Sequence, residues 1–464
     1  MSQTKDILLG KLRSGDPLSL REQVRLSSIL SYPAILAQLS TVLMQYIDAS
    51  MVGHLGAAAG ASVGLVSTCM WLLGGLCWAC LSGFSVQVAH WVGAKQYHKA
   101  RSIVGQGLVA ATLFSILLGL AGFAIAKPLP FWLGGTPDIN PDASGYFAIV
   151  SLFLPAMQLS WMGAMMLQAS GNMKVPSILN VLMCVMDVGF NYLFIYVLDM
   201  GVKGAAIGTG VAEVLTAVLM LWFLLGRSKE LKLRRGEPFL ALPHGDCLRT
   251  ATSICTPMFF QTIIMRGAYI ASTVIVAPLG TIAIAANAFA VTAEGFCYMP
   301  GYGIGDAATS LVGQSLGAGR KDLAKRFAWI TNAGGMILMT VLAVFMFIFA
   351  PQLMRLMSPD PEVVSLGTYV LRIEAFAETL YAASIVAEGA CMGAGDTLIP
   401  SIISLSSMWI LRIIPAIFLT RSMGLAGFWI AMCVELNIRG IIFLIRIKGD
   451  RWMKRKIVRE TVVP

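Results

Sequence analysis

Residues 328–350 read AWITNAGGMILMTVLAVFMFIFA, 23 positions without one charged side chain. About 20 mainly apolar residues, coiled as a helix, cross the hydrocarbon core of a bilayer. The stretch is therefore read as a membrane span. Working outward, Arg320, Lys321, Lys325 and Arg326 crowd its start. Runs of the same kind lie near 28–52, 62–90, 103–126, 146–168, 176–197, 205–225, 256–278, 283–312, 370–391, 399–419 and 426–446. With 328–350 they make twelve, and an even number puts both termini on one side of the membrane. Composition agrees. Hydrophobic residues are 57% of the chain, charged residues 12%, and mean hydropathy is +0.76. A water-soluble domain carries about 25% charge.

The net charge of +10 is spread along the ends of apolar runs, the pattern of a membrane protein and not of a nucleic-acid binder. The N-terminal tail, the even-numbered loops and the C-terminal tail hold 26 of the 34 Lys and Arg residues. The alternate loops hold Lys127, Lys203, Arg355 and Arg421. This bias places both termini and the central loop in the cytoplasm, in a plasma membrane, and for short tails a bacterial inner membrane. The polar N-terminus shows no signal peptide. Cys77 and Cys80 form a CxxC in mid-span with no second pair, which reads as packing.

A shift of 224 residues aligns the two halves without gaps. Pro33 falls on Pro257, Gly56 on Gly280, Gly93 on Gly317, Gly171 on Gly395 and Pro176 on Pro400. The expected fold is an all-α integral membrane protein of twelve transmembrane helices, in two six-helix bundles related by a pseudo-twofold axis. The expected boundaries are an N-terminal tail at 1–25, an N-lobe at 26–226, a linker at 227–250, a C-lobe at 251–447 and a C-terminal tail at 448–464.

Several motifs carry a resemblance. The run GDAATSLVGQSLGAGR at 305–320 resembles the eighth-helix signature of the multidrug and toxic compound extrusion (MATE) family. The run GACMGAGDT at 389–397, followed by Pro400, resembles that family's tenth-to-eleventh helix connection. Gly93-Ala94-Lys95 and Gly171 to Pro176 are their first-half counterparts, and Asp48 and Gly53 match the first-helix pattern. The resemblance implies a two-lobe exporter driven by H⁺ or Na⁺, whose cargo is often an amphipathic organic cation. It ties Asp48 to ion coupling and gives Thr209 a supporting place. Many relatives have Asn and then Asp four residues later on the fifth helix; here the order is Asp187 and then Asn191.

Charged side chains inside spans cost about 2.5–3.5 kcal/mol at a helix centre, so each one is a candidate site. Nine acids and four bases lie in the runs, which favours cationic cargo. Asp48, Asp187, Asn191 and Thr209 offer oxygens to an ion or cargo cavity in the first lobe. A hard cation such as Na⁺ at Asp48, Asp187 and Asn191 fits that donor set, and so does proton exchange on a buried carboxyl group. In the second lobe the candidates are Arg266, Glu294, Glu374, Glu378 and Arg412. Glu374 and Glu378, i and i+4 on one span, are expected to share a helix face, and Arg266 or Arg412 is expected to neutralise one of them. Asp306, Glu388 and Glu213 are further candidates, while Glu435 falls near the end of its run. Pro300, Gly301 and Gly303 are expected to form a hinge. Met-rich spans suit a pocket that repacks around varied cargo.

There is no Walker A loop and no HExxH, and the four histidines are dispersed. The expected activity is secondary-active efflux of small organic molecules against H⁺ or Na⁺, by a monomer in a lipid bilayer, without a cofactor, enzyme chemistry or nucleic acid. The alternatives are a flippase for lipid-linked oligosaccharides and a membrane scaffold or receptor.

Overall fold

The computed structural model describes residues 2–233, 242, 245–455 and 457–458. The linker at 227–250 lies outside them at 234–241, 243 and 244, and the C-terminal tail at 456 and 459–464. All regular structure among the described residues is helical. The elements are α1 (Ser2–Ser14), α2 (Leu20–Gly53), α3 (Ala57–Gly93), α4 (Tyr97–Ile125), the short α5 (Leu129–Trp132), α6 (Asn140–Ala169), α7 (Lys174–Tyr192) and α8 (Gly201–Trp222). They continue as α9 (Gly245–Val276), α10 (Thr281–Gly317), α11 (Lys321–Met357), α12 (Pro361–Glu374), α13 (Glu378–Gly393), α14 (Leu398–Ser406), α15 (Ile414–Met423) and α16 (Leu425–Lys448). Helices dominate because lipid offers a backbone amide no partner, and a helix satisfies its own.

Eleven helical segments are long and apolar enough to cross a membrane. The twelfth crossing is α12 with α13. The sequence reads there as one span at 370–391, but the helix breaks at 375–377. Phe376 donates to the Ile373 carbonyl at 3.3 Å and Ala377 to that of Glu374 at 2.7 Å. These tightened i→i−3 bonds replace the α-helical ones. Outside the spans, α1 is a helix within the stretch expected to be a polar tail. Its Leu8, Leu9 and Leu12 are buried, and Arg13 donates to Gln314 at 3.0 Å.

The repeat is written into the backbone. Positive φ recurs at the same offset of 224: Gly56 (119°) with Gly280 (92°), Lys95 (59°) with Gly319 (74°), and Gly171 (82°) with Gly395 (77°). Glycine takes this conformation without steric cost, whereas a residue with a Cβ is strained by roughly 1–2 kcal/mol. Lys95 therefore holds a turn that suits its glycine counterpart better.

Two compact units emerge, Ser40–Phe259 and Met1–Leu39 with Phe260–Pro464. Their limits fall inside α2 and α9, not at the 227–250 linker. In the first unit, Leu81, Phe84 and Val88 of α3 pack with Met162 and Met166 of α6 and Met220 of α8. In the second, Ala286 and Ala290 of α10 pack with Met346 and Met354 of α11 and with Trp429 of α16.

Small residues bring backbones together, as they do between helices in lipid. A Cβ on Gly303 of α10 would lie 2.7 Å from the Ile35 amide nitrogen of α2. One on Gly389 of α13 would lie 2.6 Å from the Gly305 carbonyl oxygen of α10. The α10 helix runs through Pro300 unbroken, and Gly303 is accounted for by this close approach. Gly389→Val is expected to lower stability by about 1–3 kcal/mol through overpacking. The check is thermal unfolding in detergent, where an unchanged Tm would contradict the packing described.

Candidate functional site

Three polar side chains meet inside the first unit. Asp48 sits near the end of α2, Asp187 on α7, and Asn191 one turn beyond it, so the last two share a helix face. Asn191 donates both amide hydrogens, to Asp48 Oδ1 at 2.9 Å and to Asp187 Oδ2 at 3.1 Å. Asp187 is fully buried, Asn191 is 1% exposed, and Asp48 is half-buried. Asp187 Oδ1 and Asn191 Oδ1 have no hydrogen-bond partner among the described residues. The two carboxyl groups also lie within hydrogen-bonding reach of each other.

Local structure holds them there. Gly208 of α8 lies so close to Asn191 that a Cβ would collide with its side-chain oxygen. Thr209, the next residue, lies close to Asp187. A π-helical turn at Leu193–Val197 directly follows α7, a feature frequent at functional sites. From this turn, Tyr196 donates its hydroxyl to the Met51 carbonyl at 2.8 Å and ties α7 to the end of α2. Tyr146 of α6 lies nearby and packs against the cluster of Val52, Ile195 and Val202. The sequence names Asp48, Asp187, Asn191 and Thr209; it does not reveal Tyr146 or the two-handed amide.

Two carboxyl groups at this separation, in an apolar setting with one amide between them, do not both stay charged without help. A proton or a cation must join them. That is the chemical capacity of the cluster.

The second unit holds a different arrangement. Oxygens of Glu294 on α10, Glu374 at the end of α12 and Glu378 at the start of α13 all lie within 4.8 Å of one another. Glu294 is 6% exposed, and Glu374 and Glu378 are fully buried. Both oxygens of Glu374 and both of Glu378 lack a hydrogen-bond partner among the described residues. The break at 375–377 stands between these two glutamates, so they do not share one continuous helical face. They converge because two helix ends meet.

The expected pairing of Arg412 with Glu374 or Glu378 is corrected here. Arg412 gives Nη2 and Nε to Glu435 Oε2 at 2.6 and 3.1 Å. It lies in a π-helical turn at Ser407–Ile413, whose wider coil alters the direction of its side chain. Arg439 adds an ion pair, with Nε 3.2 Å from Glu435 Oε1, and its guanidinium stands 5.6 Å from the Tyr381 ring. Arg266 lies 5.5 Å over the Tyr269 ring. Glu435 is not terminal in its helix: it is mid-way along α16 and fully buried. The i, i+4 spacing of Glu435 and Arg439 was the available signal. Elsewhere in this unit, Gln261 donates to Glu388 at 2.9 Å and accepts from Ser401 at 2.7 Å. Gln38 donates to Asp306 at 3.4 Å. In the motif at 389–397, Asp396 pairs with Arg446 at 2.6 Å.

The MatE family model matches this chain twice, over residues 33–193 and 257–418. The chain belongs to the MatE family. The two matches begin 224 residues apart, at the offset of the internal repeat. The chain is 24% identical over 443 residues to the probable multidrug resistance protein NorM of Thermotoga maritima, covering 93% of this chain and 94% of that protein. It is also 24% identical over 440 residues to the multidrug resistance protein MdtK of Yersinia pestis, covering 92% and 95%. Among solved structures it is similar to a mutant form of the Vibrio cholerae MATE transporter VcmN, with a TM-score of 0.86, 18% identity and coverage of 96% and 97%. It is equally similar to a MOP superfamily transporter from Pyrococcus furiosus, with a TM-score of 0.87, 18% identity and coverage of 96% and 98%. The twelve-helix fold of this MATE-family membrane protein is that of these transporters.

Glu435 forms ion pairs with two buried guanidinium groups, Arg412 and Arg439. Its replacement leaves charges without a counter-ion, which typically costs 3–5 kcal/mol. Glu435→Gln is therefore expected to lower the Tm steeply and reduce folded yield. Wild-type thermal stability in that variant would show that the cluster contributes nothing to the fold.

Proposed function

We propose that this chain is a secondary-active exporter of the bacterial inner membrane. It moves amphipathic, often cationic, organic molecules outward in exchange for H⁺ or Na⁺, by alternating access, with both termini in the cytoplasm. The observation that carries this reading is the Asp48–Asn191–Asp187 cluster, in which two carboxyl groups compete for one amide away from water. Loading the cluster with an ion changes the charge of the first unit. If the ion binds one conformation better than the other, that difference supplies the bias between inward- and outward-open states. The multidrug names of the relatives support the cargo class. So does the excess of acids over bases within the spans.

A second reading concerns where the ion sits. The Glu294–Glu374–Glu378 group has carboxylate oxygens no more than 4.8 Å apart. Oxygens that ligate Ca²⁺ stand 2.3–2.6 Å from the metal. A cation of similar size at the centre of the group would reach all three. In this reading the second unit holds the ion, and the first responds.

The deciding experiment is efflux from proteoliposomes under an imposed pH gradient and, separately, an imposed Na⁺ gradient. Asp187→Asn is expected to abolish gradient-driven efflux with normal yield of folded protein. Full activity there, together with loss in Glu374→Gln, would move the coupling site to the second unit. The paired exchange Asp187→Asn with Asn191→Asp restores the order found in many relatives. It is expected to keep partial transport, and complete loss would show that the carboxyl group works only from its own turn of α7.

A further inference from the structure

A groove of about 800 Å³ opens between the end of α11 and the start of α12. The end of α11 lies nine spans from the N-terminus, and so on the membrane face opposite the termini. Arg355, Ser365, Tyr369 and Arg372 are among the residues that line the groove. None of the clustered acids described above lines it. Nor do Asp360 and Glu362, the acids of the adjoining turn. Asp360 is committed elsewhere: it caps α12 by accepting from the Glu362 amide at 2.9 Å.

Two arginines in this place call for an explanation. Lys and Arg are sparse on the face opposite the termini, and Arg355 is one of four in its loops. At the repeat offset, Arg355 and Arg372 correspond to Phe131 and Ala148, so the duplicated scaffold does not require them. Neither arginine has an acidic partner among the described residues. Arg372 donates Nε to the Phe347 carbonyl at 3.3 Å, and its guanidinium stands 5.3 Å from the centre of that ring. These contacts hold the group in place and leave its terminal nitrogens for a ligand. Ser365 and Tyr369 add exposed hydroxyl groups.

The groove also has an apolar side. The uncharged run 328–350 ends beside it, next to Pro351. Arg355 therefore stands at headgroup level, and Phe347 lies about one turn inside the hydrocarbon layer. Phe347 meets Phe376 edge to face, with ring centres 5.9 Å apart. Phe376 is 71% exposed, and Leu356 is exposed as well. Large apolar side chains exposed at this depth meet acyl chains. Cationic groups above an aromatic surface complement a lipid with an anionic headgroup, and basic pockets between spans bind such headgroups. Guanidinium groups suit a phosphate because they offer it paired donors.

We propose that this groove seats an anionic phospholipid of the outward leaflet, with its phosphate held by Arg355 and Arg372 and an acyl chain along Phe347 and Phe376. The occupant is a lipid and not a free anion, because the charged groove continues into an apolar surface. The inference goes beyond the exchange reading and takes from it only the orientation in the membrane.

The test uses the full chain in phosphatidylcholine nanodiscs into which phosphatidylglycerol is titrated. Bound lipid is counted by native mass spectrometry, and Tm is followed alongside. Wild type is expected to retain phosphatidylglycerol in preference to phosphatidylcholine and to gain Tm. Arg355→Gln with Arg372→Gln should weaken that binding by about 25-fold, at roughly fivefold for each arginine near a charged bilayer surface, and lose the gain in Tm. Arg421→Gln, near the end of α15 on the same membrane face, should keep both. Ser365→Asp puts a carboxylate into the groove from an exposed position, and should lose the preference even where the double variant does not fold. The proposal is overturned if either groove variant, folded, binds phosphatidylglycerol as wild type does. It is overturned if Arg421→Gln loses as much as the double variant, the mark of diffuse surface charge. It is also overturned if inorganic phosphate or glycerol phosphate in detergent gives the same gain in Tm as the lipid, the mark of a free-anion site. The efflux reading is tested by transport and stands or falls separately.

Discussion

A polar group inside a hydrocarbon layer finds a partner within its own protein or finds none. Every feature of this structure that bears on function is a response to that constraint. The backbone answers it by becoming helix, including the π-helical turns at Leu193–Val197 and Ser407–Ile413. Beside Glu374 and Glu378, which lack partners among the described residues, three answers of the ionisable side chains stand out. Glu435 takes two guanidinium partners. Glu388 takes a neutral amide from Gln261. Asp48 and Asp187 share one amide between two carboxyl groups and remain short of a positive charge. The first two solutions are complete and serve the fold. The third is incomplete, and the exchange proposed above would make use of that vacancy of charge.

The two repeats share a skeleton but not a chemistry. Turn positions coincide at a constant offset, down to the left-handed conformations of Lys95 and Gly319. The charges do not coincide. At that offset Asp48 corresponds to Ser272, Asp187 to Leu411 and Asn191 to Pro415. In the other direction Glu294 corresponds to Met70, Glu374 to Val150 and Glu378 to Leu154. Duplication thus supplied a scaffold whose two halves hold ionisable groups at different positions of the repeat.

Hydropathy and the repeat made the fold legible, since span length and small-residue spacing are local properties of the chain. Asp187, Asn191 and Thr209 were legible because they are rare residue types in apolar runs and lie one turn apart or at a family position. What escaped was set by three-dimensional detail. The break between Glu374 and Glu378 falls at Ala-Phe-Ala, where no proline or glycine marks it. In the first repeat a proline, Pro155, sits near the equivalent place and the helix continues. The partner of Arg412 escaped because a π-helical turn redirects its side chain, and helical spacing does not foretell such turns. Glu435 stands near the middle of the 426–446 run itself, so its place was legible and only its reading as a terminal residue hid it.

The central claim is that Asp48 and Asp187 change their bound ion when the protein works. Infrared difference spectroscopy on the protein in lipid measures this directly, by comparing spectra before and after a step in pH and, separately, in Na⁺. The account predicts a carboxyl band in the wild-type difference spectrum that disappears when both Asp48→Asn and Asp187→Asn are made. A difference spectrum identical in the doubly substituted protein would show that the ion is carried elsewhere.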